Sequence, residues 1–216
     1  MSLAANVKNL ARTCLPDAVT TVLRDVRYQL QTVRVGRGGL RLETPNRRIL
    51  EDVVLPAIAA ETGVERVLFV GCRWYTKIYA AIFPRHQYWT IEIDAEQAKF
   101  GSPGRHIVAS YLDLSQHTAP ASFDAIVLNG VLGWGIDSPA DTERALEESL
   151  RALAPGGVLV IGYNGLEGNR PAFLTSPSTA LAAFAPWHFE PLGGSTYETP
   201  GDAHRHTFMF LRKPAA

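Results

Sequence analysis

The chain lacks an excess of either charge. Its 21 lysine and arginine residues balance 21 aspartate and glutamate residues, so it carries neither the electrostatic footprint of a nucleic-acid binder nor a basic membrane-surface helix. Cysteine is scarce. Cys14 and Cys72 are too few for a disulfide framework and fit a reduced, cytoplasmic setting. No apolar run reaches the roughly 18 residues that a membrane-spanning helix needs. The opening stretch MSLAANVKNLARTCLPD has no sustained apolar segment of signal-peptide type. These absences argue against membrane and nucleic acid as partners. The 216 residues, 46% of them hydrophobic, are enough for one globular domain with a sizeable core.

What the chain does contain is an alternation of strands and helices. RVLFVGCRWYT, Arg66 to Thr76, reads as an apolar strand over Val67 to Val70, a Gly-Cys turn and the start of a helix. A second apolar strand, Tyr88 to Ile93, carries Glu92 near its end. Apolar strand, glycine turn, helix and acidic-ended strand make half of a dinucleotide or nucleoside site. The glycine lets backbone approach a ligand, and the carboxylate can accept both hydroxyls of a ribose. The usual three-glycine pattern is absent, because positions 73 to 75 are Arg-Trp-Tyr. The bland alternative for Glu92 is a solvated strand-end charge.

Further strands are predicted at His106 to Ala109, Phe123 to Leu128 and Val158 to Tyr163. Helices are predicted over Thr76 to Phe83, Ala95 to Phe100, Asp141 to Leu153 and Ser178 to Phe184, with Pro155-Gly156-Gly157 as a stop. Near-continuous apolar strands are expected where helices cover both faces of a parallel sheet. Trp187 to Leu192 and Thr207 to Arg212 read as an antiparallel pair closing one edge, with GGSTYETPGDAHRH as a loop between them. Ahead of this region, Asp17 to Tyr28 has helical spacing. Thr32 to Val35 and Leu40 to Glu43 flank a glycine turn as a hairpin, which is a blander account of Arg37 in GRGG than phosphate binding. A helix is predicted from about 46 to 62, ended at Gly63, with a kink or a local break at Pro56.

The order of these elements and their residues resembles the class I S-adenosylmethionine-dependent methyltransferases, over roughly two thirds of the chain. RVLFVGC is similar to the family's first motif through its first glycine, and YWTIEID to its second strand with Glu92 at the ribose position. SFDAIVLNGVLGWG is similar to the fourth-strand motif beside the methyl-transfer site. LRALAPGGVLVIGYN carries the L-x-PGG turn. The departures are Phe69 at the usual acidic position, Arg73 and Tyr75 for the second and third glycines, and Ser110 where many members place an aspartate.

The resemblance implies a Rossmann-like α/β fold with a mostly parallel sheet of about seven strands, the last antiparallel. It implies that residues 64 to 216 form the nucleoside-binding domain and residues 1 to 63 a helical and hairpin extension over its mouth. It aligns Gly71, Cys72, Arg73, Tyr75, Thr76, Glu92, Ile93, Ser110, Tyr111, Leu112, Asn129 and Gly130 with the cofactor, S-adenosylmethionine. Trp134, Tyr163, Asn164, His204 and His206 fall toward the substrate.

Several of these have competing readings. Arg73 is either a surface arginine or a guanidinium fork for the methionine carboxylate. Trp74 and Tyr75 are core anchors or walls of a cofactor slot. Thr76 fits a helix cap. Cys72 fits a small, inert, buried thiol better than a nucleophile. Asn129 and Gly130 follow a strand's carboxyl end, where ligands bind in such sheets. His204 and His206 would face one side of a strand as metal ligands do, but no cysteine or acidic cluster completes a site, so no metal is expected. A general base is the other reading of that pair. No catalytic residue stands out, because methyl transfer from a sulfonium needs mainly alignment of donor and acceptor. The functional expectation is methyl transfer to a small molecule. Two others stand beside it: a domain of this fold without transfer activity, and an aminopropyl transferase, against which the missing acidic glycine-rich loop speaks.

Overall fold

The computed structural model describes residues 33–36, 39–166 and 168–215. The helix expected over Asp17 to Tyr28, Cys14 and Arg37 lie outside them. The chain divides into two compact units, Met1–Glu43 and Thr44–Ala216. In the first, β1 (Val33–Gly36) and β2 (Gly39–Leu42) pair antiparallel, with Gly36 opposite Gly39. This is the predicted hairpin.

The second unit opens with a helical run made of α1 (Pro45–Ile49), a π turn (Leu50–Val54) and α2 (Leu55–Ala60). A kink or a local break is expected at Pro56, and the break takes the form of a π turn: the chain widens just before the proline, and the Leu55 N–H bonds to the Leu50 carbonyl. A proline cannot donate its own helical bond and crowds the preceding turn, and a π turn absorbs that mismatch.

The main sheet has the order β5-β4-β3-β6-β7-β10-β8, with β9 also on β10. Five strands run parallel: β3 (Arg66–Val70), β4 (Gln87–Glu92), β5 (His106–Val108), β6 (Phe123–Asn129) and β7 (Leu153–Asn164). β10 (His206–Arg212) lies antiparallel to β7. The expected mostly parallel α/β fold is present, with eight strands in the sheet rather than about seven. Each of the five parallel strands was predicted within a few residues. β7 starts earlier than predicted: the chain passes through Pro155-Gly156-Gly157 with Gly156 at φ +77° and a register shift opposite Phe123–Ala125. The proline–glycine turn ends the helix before it without ending the strand.

The closing edge differs from expectation. Trp187 to Leu192 is not a strand. Two short strands, β8 (Ala185–Pro186) and β9 (Thr196–Glu198), pair with β10 instead. Pro186 and Pro191 have no N–H for a ladder, and the aromatic side chains between them are used for packing. Phe189 stacks on Phe210 with ring centroids 4.2 Å apart, and Trp187 meets Phe189 edge-on at 5.3 Å.

Both faces of the sheet are covered. On one, Leu68, Ile126, Leu128, Leu159 and Ile161 pack with Ala145 and Leu146 of α3 (Pro139–Ala152). Helix α4 (Thr179–Ala182) adds Ala180. On the other, Val67, Phe69, Val127, Val160, Phe208 and Phe210 pack with Leu50, Leu55 and Ile58. The chain lays β3, β4 and β5 outward in one direction and then returns to place β6 on the other side of β3. That reversal puts a crevice at the carboxyl ends of β3 and β6, where parallel α/β sheets take their ligands.

Candidate functional site

The turn after β3 is built around Gly71, whose φ of +88° is in the left-handed region that side chains disfavour. Its N–H bonds to the Ile91 carbonyl, tying β3 to β4. Cys72 follows, buried, and burial pushes its thiol up to about 11. The sulfur is therefore protonated near neutral pH and inert, as expected. Arg73 leads into a 3-10 helix, Trp74–Ile82, where the Thr76 hydroxyl caps the turn by accepting from the Arg73 N–H at 3.0 Å. Trp74 meets Tyr75 edge-on, and the Arg47 guanidinium lies 4.6 Å from the Tyr75 ring centre. Arg47 also donates to the Tyr79 hydroxyl at 3.1 Å, which donates to Glu51 at 2.9 Å.

Glu92 ends β4 beside that turn and is buried. Its Oε2 accepts from the Cys72 N–H at 2.8 Å and from Arg73 Nη1 at 3.2 Å, while Oε1 accepts from the Asp94 N–H at 2.9 Å. A buried carboxylate with such donors is a built feature, not a solvated strand end. Next to it the surface turns apolar. Ile93 is 71% exposed, and Val108, paired with Glu92 across β4 and β5, is 49% exposed. In the sequence Val108 is one more apolar residue of a strand, and nothing local marks it as exposed.

The other sequence-selected residues divide by the face they occupy. The Ser110 hydroxyl caps the next turn by accepting from the Leu112 N–H at 3.2 Å. Tyr111 points into the core, with its hydroxyl 2.7 Å from Ser149 Oγ on α3. Leu112 packs on the same core. The Leu112 backbone is engaged as well, its N–H by Ser110 and its carbonyl by Arg144 Nε at 2.7 Å. Tyr163 lies on the α3 face, edge-on to Phe173 at 5.3 Å. Trp134 is half-exposed in the loop after β6. Asn169 Nδ2 fastens that loop by donating to the Gly133 carbonyl at 3.2 Å.

Asn129, Asn164 and His206 come together. The buried imidazole of His206 sits between Asn164 Oδ1, 2.9 Å from Nδ1, and Asn129 Oδ1, 3.1 Å from Nε2. Burial first, and then the charge of Arg47, push His206 down to about 4, against a smaller opposing pull from Asp202. The ring is neutral near pH 7. A neutral imidazole has one N–H, so it donates to one amide oxygen and the other amide turns its NH2 toward the bare nitrogen. Gly162 makes the cluster possible: a Cβ there would lie 2.0 Å from Asn129 Oδ1 and 2.8 Å from His206 Nε2. Thr199, whose N–H bonds to the His206 carbonyl at 2.8 Å, has a buried hydroxyl with no partner among the described residues. His204 does not join. The strand begins at His206, and Arg205 before it has φ +51°, so His204 is turned out to solvent and the expected same-face pair does not form. No metal-binding group of His, Cys, Asp and Glu occurs among the described residues.

Glu92, Gly71, Asn129, Asn164 and His206 thus follow one another on β4, β3, β6, β7 and β10, at one end of the sheet. A sequence model of a family described as a methyltransferase domain matches residues 68–161, which include the turn, Glu92 and Asn129. Over that stretch the chain is similar to a methyltransferase domain. Three solved structures are similar to this chain. The N-methyltransferase NodS from Bradyrhizobium japonicum WM9, in complex with S-adenosyl-L-homocysteine, aligns at TM-score 0.61 and 17% identity, over 80% of this chain and 89% of that one. The 1,6-didemethyltoxoflavin-N1-methyltransferase of Burkholderia thailandensis, with bound 1,6-didemethyltoxoflavin and S-adenosylhomocysteine, aligns at 0.53 and 17%, over 75% and 77%. The [4+2]-cyclase SpnF aligns at 0.54 and 17%, over 76% and 81%. No curated protein sequence matches. Among the described residues, no helix is long and apolar enough to cross a membrane.

Proposed function

We propose that the protein transfers the methyl group of S-adenosylmethionine to a small-molecule acceptor. The observation that carries this reading is Glu92, buried and hydrogen-bonded beside the Gly71 turn at the sheet's reversal. The residues present fit such a cofactor. The Glu92 carboxylate would accept the ribose hydroxyls, and the exposed Ile93 and Val108 side chains offer an apolar surface for the adenine. The turn at Ser110 and Tyr111 would lie at the base edge. Asn129 and Gly130 lie two strands along from Glu92, roughly 10 Å by strand spacing, on the way to the reacting end. Bound there, the cofactor supplies a methyl carbon already activated by its sulfonium.

The chain's own task is then to hold the acceptor in line. Asn129, Asn164 and Thr199 are neutral hydrogen-bonding groups in that position, and His206 fixes both amides. Trp134 would cover the acceptor from the loop after β6. The similar 1,6-didemethyltoxoflavin-N1-methyltransferase acts on a small molecule by its name, which supports the same class here. The similar cyclase shows that this fold also serves other chemistry.

Titration calorimetry with S-adenosylhomocysteine tests the reading. Hydrogen bonds to a charged group are worth about 1.5–3 kcal/mol, so Glu92→Ala should weaken binding by roughly ten- to a hundredfold. Glu92→Gln, which keeps an acceptor for the Cys72 N–H, should lose less. Unchanged affinity in folded Glu92→Ala protein sinks the assignment. Wild-type binding without methyl transfer to any of a panel of amine, hydroxyl and thiol acceptors would favour the reading as a binding domain without transfer activity.

A further inference from the structure

Glu92 cannot use its whole carboxylate as the site stands. A carboxylate oxygen accepts about two hydrogen bonds. Oε2 already has two, from the Cys72 N–H at 2.8 Å and Arg73 Nη1 at 3.2 Å. Oε1 has one, from the Asp94 N–H, and keeps a position open. A vicinal diol that grips both oxygens must therefore displace one donor from Oε2. The Cys72 N–H belongs to buried backbone and cannot leave. Arg73 can, because its side chain is 47% exposed and its other hydrogen bond, Nη1 to the Cys72 carbonyl at 2.9 Å, also stays at the surface of the turn.

A displaced guanidinium needs a new anion. Arg73 and Tyr75 carry side chains at two positions of the turn where glycines would let backbone N–H groups approach a ligand closely. The turn lies between Glu92 and Asn129, so an extended ligand joining the two passes beside it. Arg47, a second cation beside the turn, is engaged with the Tyr75 ring and the Tyr79 hydroxyl. We propose that Arg73 exchanges partners: it masks Glu92 in the free protein and, when the cofactor's ribose takes its place, swings to the α-carboxylate of the cofactor's amino-acid part. This rests on the cofactor reading above. The planar fork of arginine suits a carboxylate, and the exchange keeps the guanidinium paired throughout.

The exchange predicts effects of opposite sign for two ligands that share a nucleoside. S-adenosylhomocysteine has the amino-acid part and 5′-methylthioadenosine lacks it. An exposed ion pair contributes about 0.2–1 kcal/mol, so unmasking Glu92 in Arg73→Ala should tighten methylthioadenosine binding by about 1.5- to 5-fold. The same variant should weaken S-adenosylhomocysteine binding, by about tenfold once the lost carboxylate contact is set against that gain. Arg73→Lys should fall between wild type and Arg73→Ala for S-adenosylhomocysteine. Retained methylthioadenosine binding doubles as the check that the variant is folded. Shifts in the same direction for both ligands, or no shift, overturn the exchange while leaving the cofactor reading intact. Wild-type protein that binds neither ligand overturns the cofactor reading and the exchange with it.

Discussion

At the scale of single residues, the molecule replaces open space with neutral polar contacts. His206 is an example, since its burial and the nearby charge of Arg47 favour the uncharged imidazole. Its folded value of about 4 lies below the ordinary 6.5, so protonation favours the unfolded chain. The sign follows: the contribution is fully present above about pH 6.5 and is lost as pH falls toward 4, with a total on the order of 3 kcal/mol. Urea unfolding at pH 7.5, 5.5 and 4.5 should show this fall. His206→Gln, which does not titrate, should flatten it, although His106, also pushed down by burial, keeps its own share. An unaltered slope in His206→Gln would mean that the imidazole is not the titrating group. Gly162 belongs to the same arrangement, because the absence of a side chain there is what admits both Asn129 and His206.

At the scale of elements, the C-terminal edge is held by side chains more than by its ladder. β8 and β9 contribute only two and three residues to the sheet. The segment between them is anchored by Trp187 and Phe189 against Phe210, which is fully buried. Phe210→Ala should therefore cost about 3–5 kcal/mol, the usual range for removing a buried phenylalanine, read as a lower urea midpoint. A loss under about 1 kcal/mol would show that the short strands hold the edge without the aromatic stack. The π turn before Pro56 belongs to this scale too. The sequence announced a disturbance there, and the neighbouring turns decided its form.

At the scale of the whole molecule, a ligand that binds only the folded state stabilises it by mass action. S-adenosylhomocysteine at a hundred times its dissociation constant should add about 2.7 kcal/mol, seen as a rise in Tm that adenine alone at the same concentration does not match. An unchanged Tm at saturating ligand would contradict binding to the native fold. The alternation of apolar strands with helical segments was legible from the residues, because strands buried on both faces must be apolar nearly throughout. Gly71 and Glu92 were legible as a pair for a related reason: a turn glycine and an acidic strand end are local chemistry at fixed places in one strand–helix–strand unit. What lay beyond reach depends on contacts between distant positions. Arg73 meets Glu92 across 19 residues of sequence, and His206 meets Asn129 across 77. No periodicity encodes either contact. Whether Tyr163 or Asn164 faces the site is a matter of strand register, and a shift of one residue exchanges them. The sequence by itself determined the layers and the crevice, since those follow from local hydrophobic pattern and chain order. Only the tertiary structure decided which polar side chains share that crevice, because their meeting depends on how strands from both ends of the chain align in one sheet.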